Sequence, residues 1–158
     1  MPTHYNGTTK EKRALNAWIK FSRAANSFSP RIKESFREYG LTESQFGVLD
    51  ALLHLGPLNL KTVSEKLLCT GGNITTVVDN LEKRRFVKRI PDKKDRRQIK
   101  IHLTQKGEAL INKIMPMHVQ TIVQEMSILS NFEQKELARL CKKLGIENNE
   151  SKQIVRRI

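Results

Sequence analysis

Between Lys83 and Lys100 ten side chains carry positive charge: Lys83, Arg84, Arg85, Lys88, Arg89, Lys93, Lys94, Arg96, Arg97 and Lys100. Only Asp92 and Asp95 oppose them, so +8 of the chain's formal +13 falls inside this short stretch. The chemistry open to such a cluster is anion binding rather than catalysis, because guanidinium and ammonium groups offer fixed charge and several donors but no basic lone pair at neutral pH. A solvated surface usually mixes signs. A run of one sign on one segment is the electrostatic footprint of a polyphosphate partner, and that points to nucleic acid.

Two periodicities define the elements that must position these groups. Ile74, Val77, Val78 and Leu81 recur at i, i+3, i+4 and i+7, which aligns them as the apolar stripe of a helix starting near Asn73. Its opposite side carries Gly72, Thr75, Thr76, Asp79, Asn80 and Lys83, with no large apolar residue. After Phe86 the period becomes two: Ile99, Ile101 and Leu103 alternate with Lys100 and His102, the pattern of a strand with one buried face. Phe86 to Ile90 is the expected partner strand, and residues 91–97 are too many for a two-residue turn, so they should project as a loop. Upstream, Val63, Leu67 and Leu68 mark a short helix and residues 69–72 a turn. Short helix, glycine-containing turn, second helix with a polar outer face: this spacing predicts a helix-turn-helix, and the basic hairpin after it a wing.

The remaining elements are framed by capping signals. Thr8 with Glu11, Thr42 with Gln45 and Ser130 with Glu133 each have capping-box spacing and open helices. Leu15, Trp18, Ile19, Ser22 and Ala25 stripe the first helix, which Pro30 should kink or restart and Gly40 should close as a left-handed cap. Phe46, Val48, Leu49, Leu52 and Leu53 make the next helix a buried one, stopped by Gly56-Pro57. Leu58 to Leu60 could pair with the wing as a short strand. Thr104 caps a helix reaching about Met126, bent by Pro116, and a last helix with Leu137, Leu140, Cys141 and Leu144 should end at Gly145. The expected fold is mainly α with a small β-hairpin wing (α+β). Residues 41–104 form the winged helix-turn-helix, residues 1–40 and 105–145 supply dimerisation helices, and residues 146–158 form a polar, mostly disordered tail with a weak helical tendency.

Composition is consistent with a soluble globular chain, at 38% hydrophobic and 28% charged residues. No apolar run approaches membrane-spanning length and no signal-peptide pattern opens the chain, so a cytoplasmic location is expected and no membrane. Cys69 and Cys141 are far apart and make no CxxC, which suits a reducing compartment and a structural role for each. An enzyme is not expected, since HExxH, GxSxG, a Gly-rich phosphate loop and a Cys/His cluster are all missing. Asp50 and His54, at i and i+4, could form half a metal site, but no second ligand pair has such spacing, so a surface pair is expected, with no metal and no cofactor.

The order LTESQFGVLDALLHLGPLNL, KTVSEKLLCTGGNITTVVDNLEKRRFVKR and DRRQIKIHLTQKG, followed by MPMHVQTIVQEMSILSNFEQKELARLCKKLG, resembles the MarR family of winged helix-turn-helix transcriptional regulators. The likeness spans roughly Ala14 to Gly145, and LTQKG after a wing with a DxR motif is its most specific part. It implies a homodimer on a pseudo-palindromic double-stranded DNA operator, acting as a repressor released by a small anionic or phenolic ligand. It also assigns roles to residues. Asn73, Thr75, Thr76 and Asn80 would face the major groove. Arg97, the arginine of the DxR motif, would enter the minor groove. Lys83, Lys93, Lys94 and Arg96 would contact phosphates, and Asp95 would stabilise the wing by pairing with a nearby Arg. A ligand cleft between dimerisation helices and winged domain would draw its lining from Trp18, Phe21, Phe36, Tyr39 and Phe46. The alternative is an architectural DNA- or RNA-binding winged-helix protein, because wing charge alone does not distinguish duplex types.

Overall fold

The computed structural model of the protein describes residues 4–67, 71–92, 95 and 97–155. Along the chain run α1 (Thr9–Arg37), α2 (Glu43–Leu55), β1 (Leu58–Asn59), α3 (Leu60–Lys66) and α4 (Gly71–Lys83). They are followed by β2 (Val87–Pro91), β3 (Ile99–Leu103), α5 (Gln105–Met126) and α6 (Asn131–Val155). The mainly helical, winged architecture expected from the sequence is therefore present.

Helices α1, α2, α3, α5 and α6 each start where a side chain satisfies free N–H groups. Thr8 and Thr42 accept from the backbone of Glu11 and Gln45, whose side chains return the bond, so both capping boxes are formed. Asn59 caps α3 through Thr62 at 2.8 Å. Helices α1 and α4 end in the same way. At the end of α1, Leu41 N–H bonds Phe36 O and Gly40 N–H bonds Arg37 O; at the end of α4, Phe86 N–H bonds Leu81 O and Arg85 N–H bonds Glu82 O. This pattern needs a left-handed residue at its corner, filled by Gly40 at φ 64° and by Arg85 at φ 62°.

Residues 1–121 form one compact unit and residues 122–158 another. In the first, the core combines Val48, Leu49 and Leu52 of α2, Val63 of α3, Ile74, Val78 and Leu81 of α4, Val87 of β2 and Ile101 of β3. Phe36 of α1 and Ile111 and Ile114 of α5 join the same core, so both of these helices contribute to the winged unit. Fully burying an aliphatic side chain of this size stabilises by about 1.5–3 kcal/mol, and the whole α4 stripe read from the sequence is inside. The sheet has the order β1-β3-β2, all antiparallel, with Leu58 opposite Ile101 and Val87 opposite Leu103.

Several expectations need correction. Pro30 lies inside α1, which runs on through it, so of the expected kink or restart the restart is overturned. Pro30 is exposed, so water can serve the carbonyl its ring leaves free, and the Arg31 guanidinium donates to Ser27 O at 2.8 Å. Helix α4 begins at Gly71, two residues before Asn73. Ile99 is 50% exposed rather than inward, because it pairs with Pro91 at the far end of the hairpin, beyond the core. In the second unit α6 continues to Val155, so Gly145 does not close it and the segment after it is helical rather than a disordered tail. Gly145 lacks the positive φ of a capping glycine, and the following Glu, Lys and Gln are adequate helix formers.

Candidate nucleic-acid interface

The stripe that buries Ile74, Val77, Val78 and Leu81 turns the other side of α4 to solvent. Asn73, Thr75, Thr76, Asn80 and Lys83 are all exposed there. Short hydroxyl and amide side chains on an unobstructed helix face can donate to and accept from base edges, and a helix of this diameter fits the major groove.

The wing is held at both ends and across its middle. Thr104 N–H bonds Phe86 O at 3.1 Å, and Asp92 N–H bonds Gln98 O at 2.8 Å. Asp95 accepts from the backbone N–H of Arg97 at 3.1 Å and from Gln98 Nε2 at 3.2 Å. Among the described residues its partners are thus a backbone amide and a carboxamide, whereas an Arg side chain was expected. A carboxylate two residues before an amide closes a local turn without needing a guanidinium. That leaves the exposed Arg97 side chain free of Asp95. Lys93, Lys94 and Arg96 lie outside the described residues, as does Cys69. Arg97 and Gln98 share an open groove of about 550 Å³ with Asn59 and Lys61 at the head of α3, residues that the charge count did not single out.

The basic run divides into free and engaged cations. Lys83, Arg85 and Lys88 are exposed. Lys100 pairs with Asp92 at 2.7 Å. Arg89, on β2, faces α4: its Nη2 lies 2.6 Å from Asp79 Oδ1, its Nη1 donates to Glu82 Oε2, and its backbone N–H donates to Glu82 Oε1 at 3.0 Å. Burial works against the Arg89 charge, but the bonds to Asp79 and Glu82 outweigh it and raise its pKa. The Arg84 guanidinium donates to Gly40 O at 2.7 Å and Tyr39 O at 3.2 Å and lies over the Phe86 ring. Counting charges along the sequence missed these internal roles. Strand alternation could have flagged Arg89, which shares a face of β2 with buried Val87.

A cleft of about 570 Å³ opens between α1, α2 and α5, lined by Phe28, Ile32, Phe36, Phe46, Gly47 and His118 among others. Of the five aromatic residues expected to line it, Phe36 and Phe46 do, stacked at 4.7 Å. Trp18 and Phe21 lie earlier on α1, 61% and 45% exposed, and Tyr39 lies past the cleft with Lys113 over its ring. The correction follows from length: at 1.5 Å rise per residue, Trp18 is roughly 27 Å along α1 from Phe36. His118, unassigned by sequence, sits 4.5 Å from the Phe46 ring and 2.8 Å by Nδ1 from Ser35 Oγ. Burial lowers its pKa against the opposing influence of Asp50 and the Ile32 carbonyl. Asp50 and His54 form a 3.0 Å surface pair. Cys141 is partly exposed on α6.

A recognition helix following a short helix, flanked by a three-stranded sheet whose hairpin carries free cations, defines a winged helix-turn-helix DNA-binding protein. The MarR family model matches residues 41–99. The chain is 39% identical to the uncharacterized HTH-type transcriptional regulator YkoM of Bacillus subtilis, over 87% of this chain and 89% of that protein. It is 33% identical to the HTH-type transcriptional regulator MhqR of the same organism, over 85% of this chain and 93% of that one. Among solved structures, AbsC, a MarR family transcriptional regulator from Streptomyces coelicolor, superposes with a TM-score of 0.81 at 17% identity, covering 92% of this chain and 99% of that chain. The chain belongs to the MarR family of transcriptional regulators, and it is a DNA-binding regulator rather than an enzyme.

Proposed function

We propose that the protein is a homodimeric repressor that binds a pseudo-palindromic operator and leaves it when a small aromatic ligand occupies the cleft beside His118. The exposed polar face of α4, backed by a fully buried apolar stripe, carries the reading. On it Asn73, Thr75, Thr76 and Asn80 meet base edges, Lys83 and the wing lysines Lys93 and Lys94 with Arg96 meet phosphates, and Arg97 enters the minor groove. Asp95 supports Arg97 by holding the turn that presents it. The dimer is supported by apolar side chains left uncovered in the single chain: Trp18 and Phe21 on α1, and Phe132, Leu140 and Leu144 on α6. A second copy burying them would set two recognition helices about one DNA turn apart, near ~34 Å.

The cleft supports a phenolic rather than a carboxylate effector. Ser35 Oγ donates to Ile32 O at 2.8 Å, so its contact with His118 is one in which Nδ1–H donates and Ser35 accepts. In the neutral ring this leaves Nε2 as an acceptor, matched to an aryl O–H lying between apolar walls.

The experiment is binding of the full chain to the duplex upstream of its own gene, to random duplex and to RNA, at two salt concentrations. Preference for the upstream duplex that persists at the higher salt supports the regulator; equal binding to all three overturns it in favour of an architectural role. Adding phenol or benzoate to the bound complex tests the effector reading, with release by phenol alone expected.

A further inference from the structure

Asp79 and Glu82 are the two acidic residues of α4, and they stand on the helix expected to approach a polyanion. Three residues apart, they are surface neighbours of like charge, an arrangement that destabilises a helix when nothing compensates it. Both point to the same guanidinium on β2. Arg89 spans them with Nη2 on Asp79 at 2.6 Å and Nη1 on Glu82, while Glu82 also holds the Arg89 backbone amide at 3.0 Å. The Arg89 side chain is 24% exposed, against 45% for Asp79 and 36% for Glu82. Three bonds therefore cross from the recognition helix to the first strand of the wing, and one of them fixes strand backbone rather than a side-chain tip. Across the sheet Arg89 stands opposite Ile101, which is fully buried in the core, so this part of β2 has a rigid floor.

We propose that Asp79, Glu82 and Arg89 form a positioning device that sets the wing at a fixed angle to the recognition helix, and that Arg89 makes no phosphate contact of its own. Helix and wing must enter adjacent grooves at once, and a bidentate fork between two carboxylates fixes orientation where a single ammonium would only supply charge. The proposal rests on the DNA-binding reading of α4 and the wing, but it predicts the opposite sign from plain electrostatics. Replacing both acids by alanine raises the net charge by two above +13, and if they only repelled DNA, binding would tighten.

The test measures binding of full-length parent, Asp79→Ala/Glu82→Ala and Arg89→Ala to the upstream duplex and to random duplex, with circular dichroism to confirm that each variant is folded. Both variants are expected to bind the upstream duplex roughly tenfold more weakly and to lose less on random duplex, with Arg89→Lys intermediate. Equal or tighter binding by Asp79→Ala/Glu82→Ala overturns the proposal. So does an Arg89→Ala loss that is equal on both duplexes and lowers the salt slope by about one, the mark of one phosphate contact. If the parent itself shows no preference for the upstream duplex, the regulator reading falls, and the sign of the Asp79→Ala/Glu82→Ala effect on random duplex still decides whether the triad acts by position.

Discussion

Arg84 donates from Nη1 to the carbonyl of Gly40 at 2.7 Å, so one guanidinium joins the left-handed corners that end α1 and α4. Its second nitrogen bonds Tyr39 O at 3.2 Å, and its plane covers Phe86. Arg84→Ala leaves two carbonyls without this donor and is expected to lower unfolding stability by about 1–2 kcal/mol. Arg84→Lys should recover only part, because a point charge cannot serve both carbonyls in the plane of the fork. Chemical denaturation of the variants checks both.

The corner of α4 is filled by Arg85, an L-residue at φ 62° where the equivalent corner of α1 has glycine. Left-handed backbone costs an ordinary residue roughly 1–2 kcal/mol, partly offset by the greater entropy a glycine loses on folding. Arg85→Gly is therefore expected to stabilise the fold by about 0.5–1 kcal/mol, read as a raised melting temperature. A lower melting temperature would refute this account of the corner.

Gly107 packs against the chain as it leaves α4. A Cβ there would overlap the carbonyl oxygen of Phe86 and sit 2.9 Å from its carbon, both backbone atoms that cannot rotate away. Gly107→Ala is expected to cost about 3 kcal/mol or more. Gly145→Ala supplies the contrast: its Cβ would meet nothing within 4 Å, so the exchange should gain about 0.5–1 kcal/mol of helix stability.

His118 gives stability a direction in pH. Burial holds its pKa below the ordinary 6.5, so the unfolded chain takes up a proton first as pH falls. The stability it permits is fully present above pH 6.5 and declines as pH drops from there toward the lower folded value. The lowered carboxylates Glu11, Glu133 and Glu136 start from 4.5 and act below this window. Melting temperatures followed from neutral to mildly acid pH should fall for the parent and fall less for His118→Gln.

Arg97 is exposed and its backbone amide is held by Asp95, which leaves the guanidinium to the solvent side of the wing. Arg97→Ala is expected to weaken operator binding by more than ~1 kcal/mol with dimerisation unchanged. Titrations of labelled operator, with sedimentation to report the oligomer, would expose an unaffected variant at once.

The helix-turn-helix was readable because period is a local property. Ile74, Val77, Val78 and Leu81 declare their common face by spacing alone, and Thr8, Thr42 and Ser130 mark helix starts by chemistry acting within three residues. What the sequence could not disclose depends on partners far along the chain. Arg84 and Arg89 resemble Arg85 and Lys88 in any count of charge, yet two of the four are committed to Gly40, Asp79 and Glu82 while two are exposed. Pro30 reads as a break unless one knows that its side of α1 faces water. The cleft aromatics were misplaced because Trp18 and Phe36 share a helix but not a height on it, and His118, brought to Ser35 from 83 residues away, had no local signal at all.

The Thr104 amide donates to Phe86 O at 3.1 Å and its hydroxyl to the neighbouring Arg85 O at 2.7 Å, so the chain returns from the hairpin to the point where it departed. The hairpin is thereby a closed excursion whose two feet are tied together. Closure entropy grows only slowly with loop size, so residues could be added or removed at its far end with little strain reaching α4 or α5. The far end of the hairpin can then change in length and charge while the stitch between Phe86 and Thr104 keeps the change from reaching the rest of the unit.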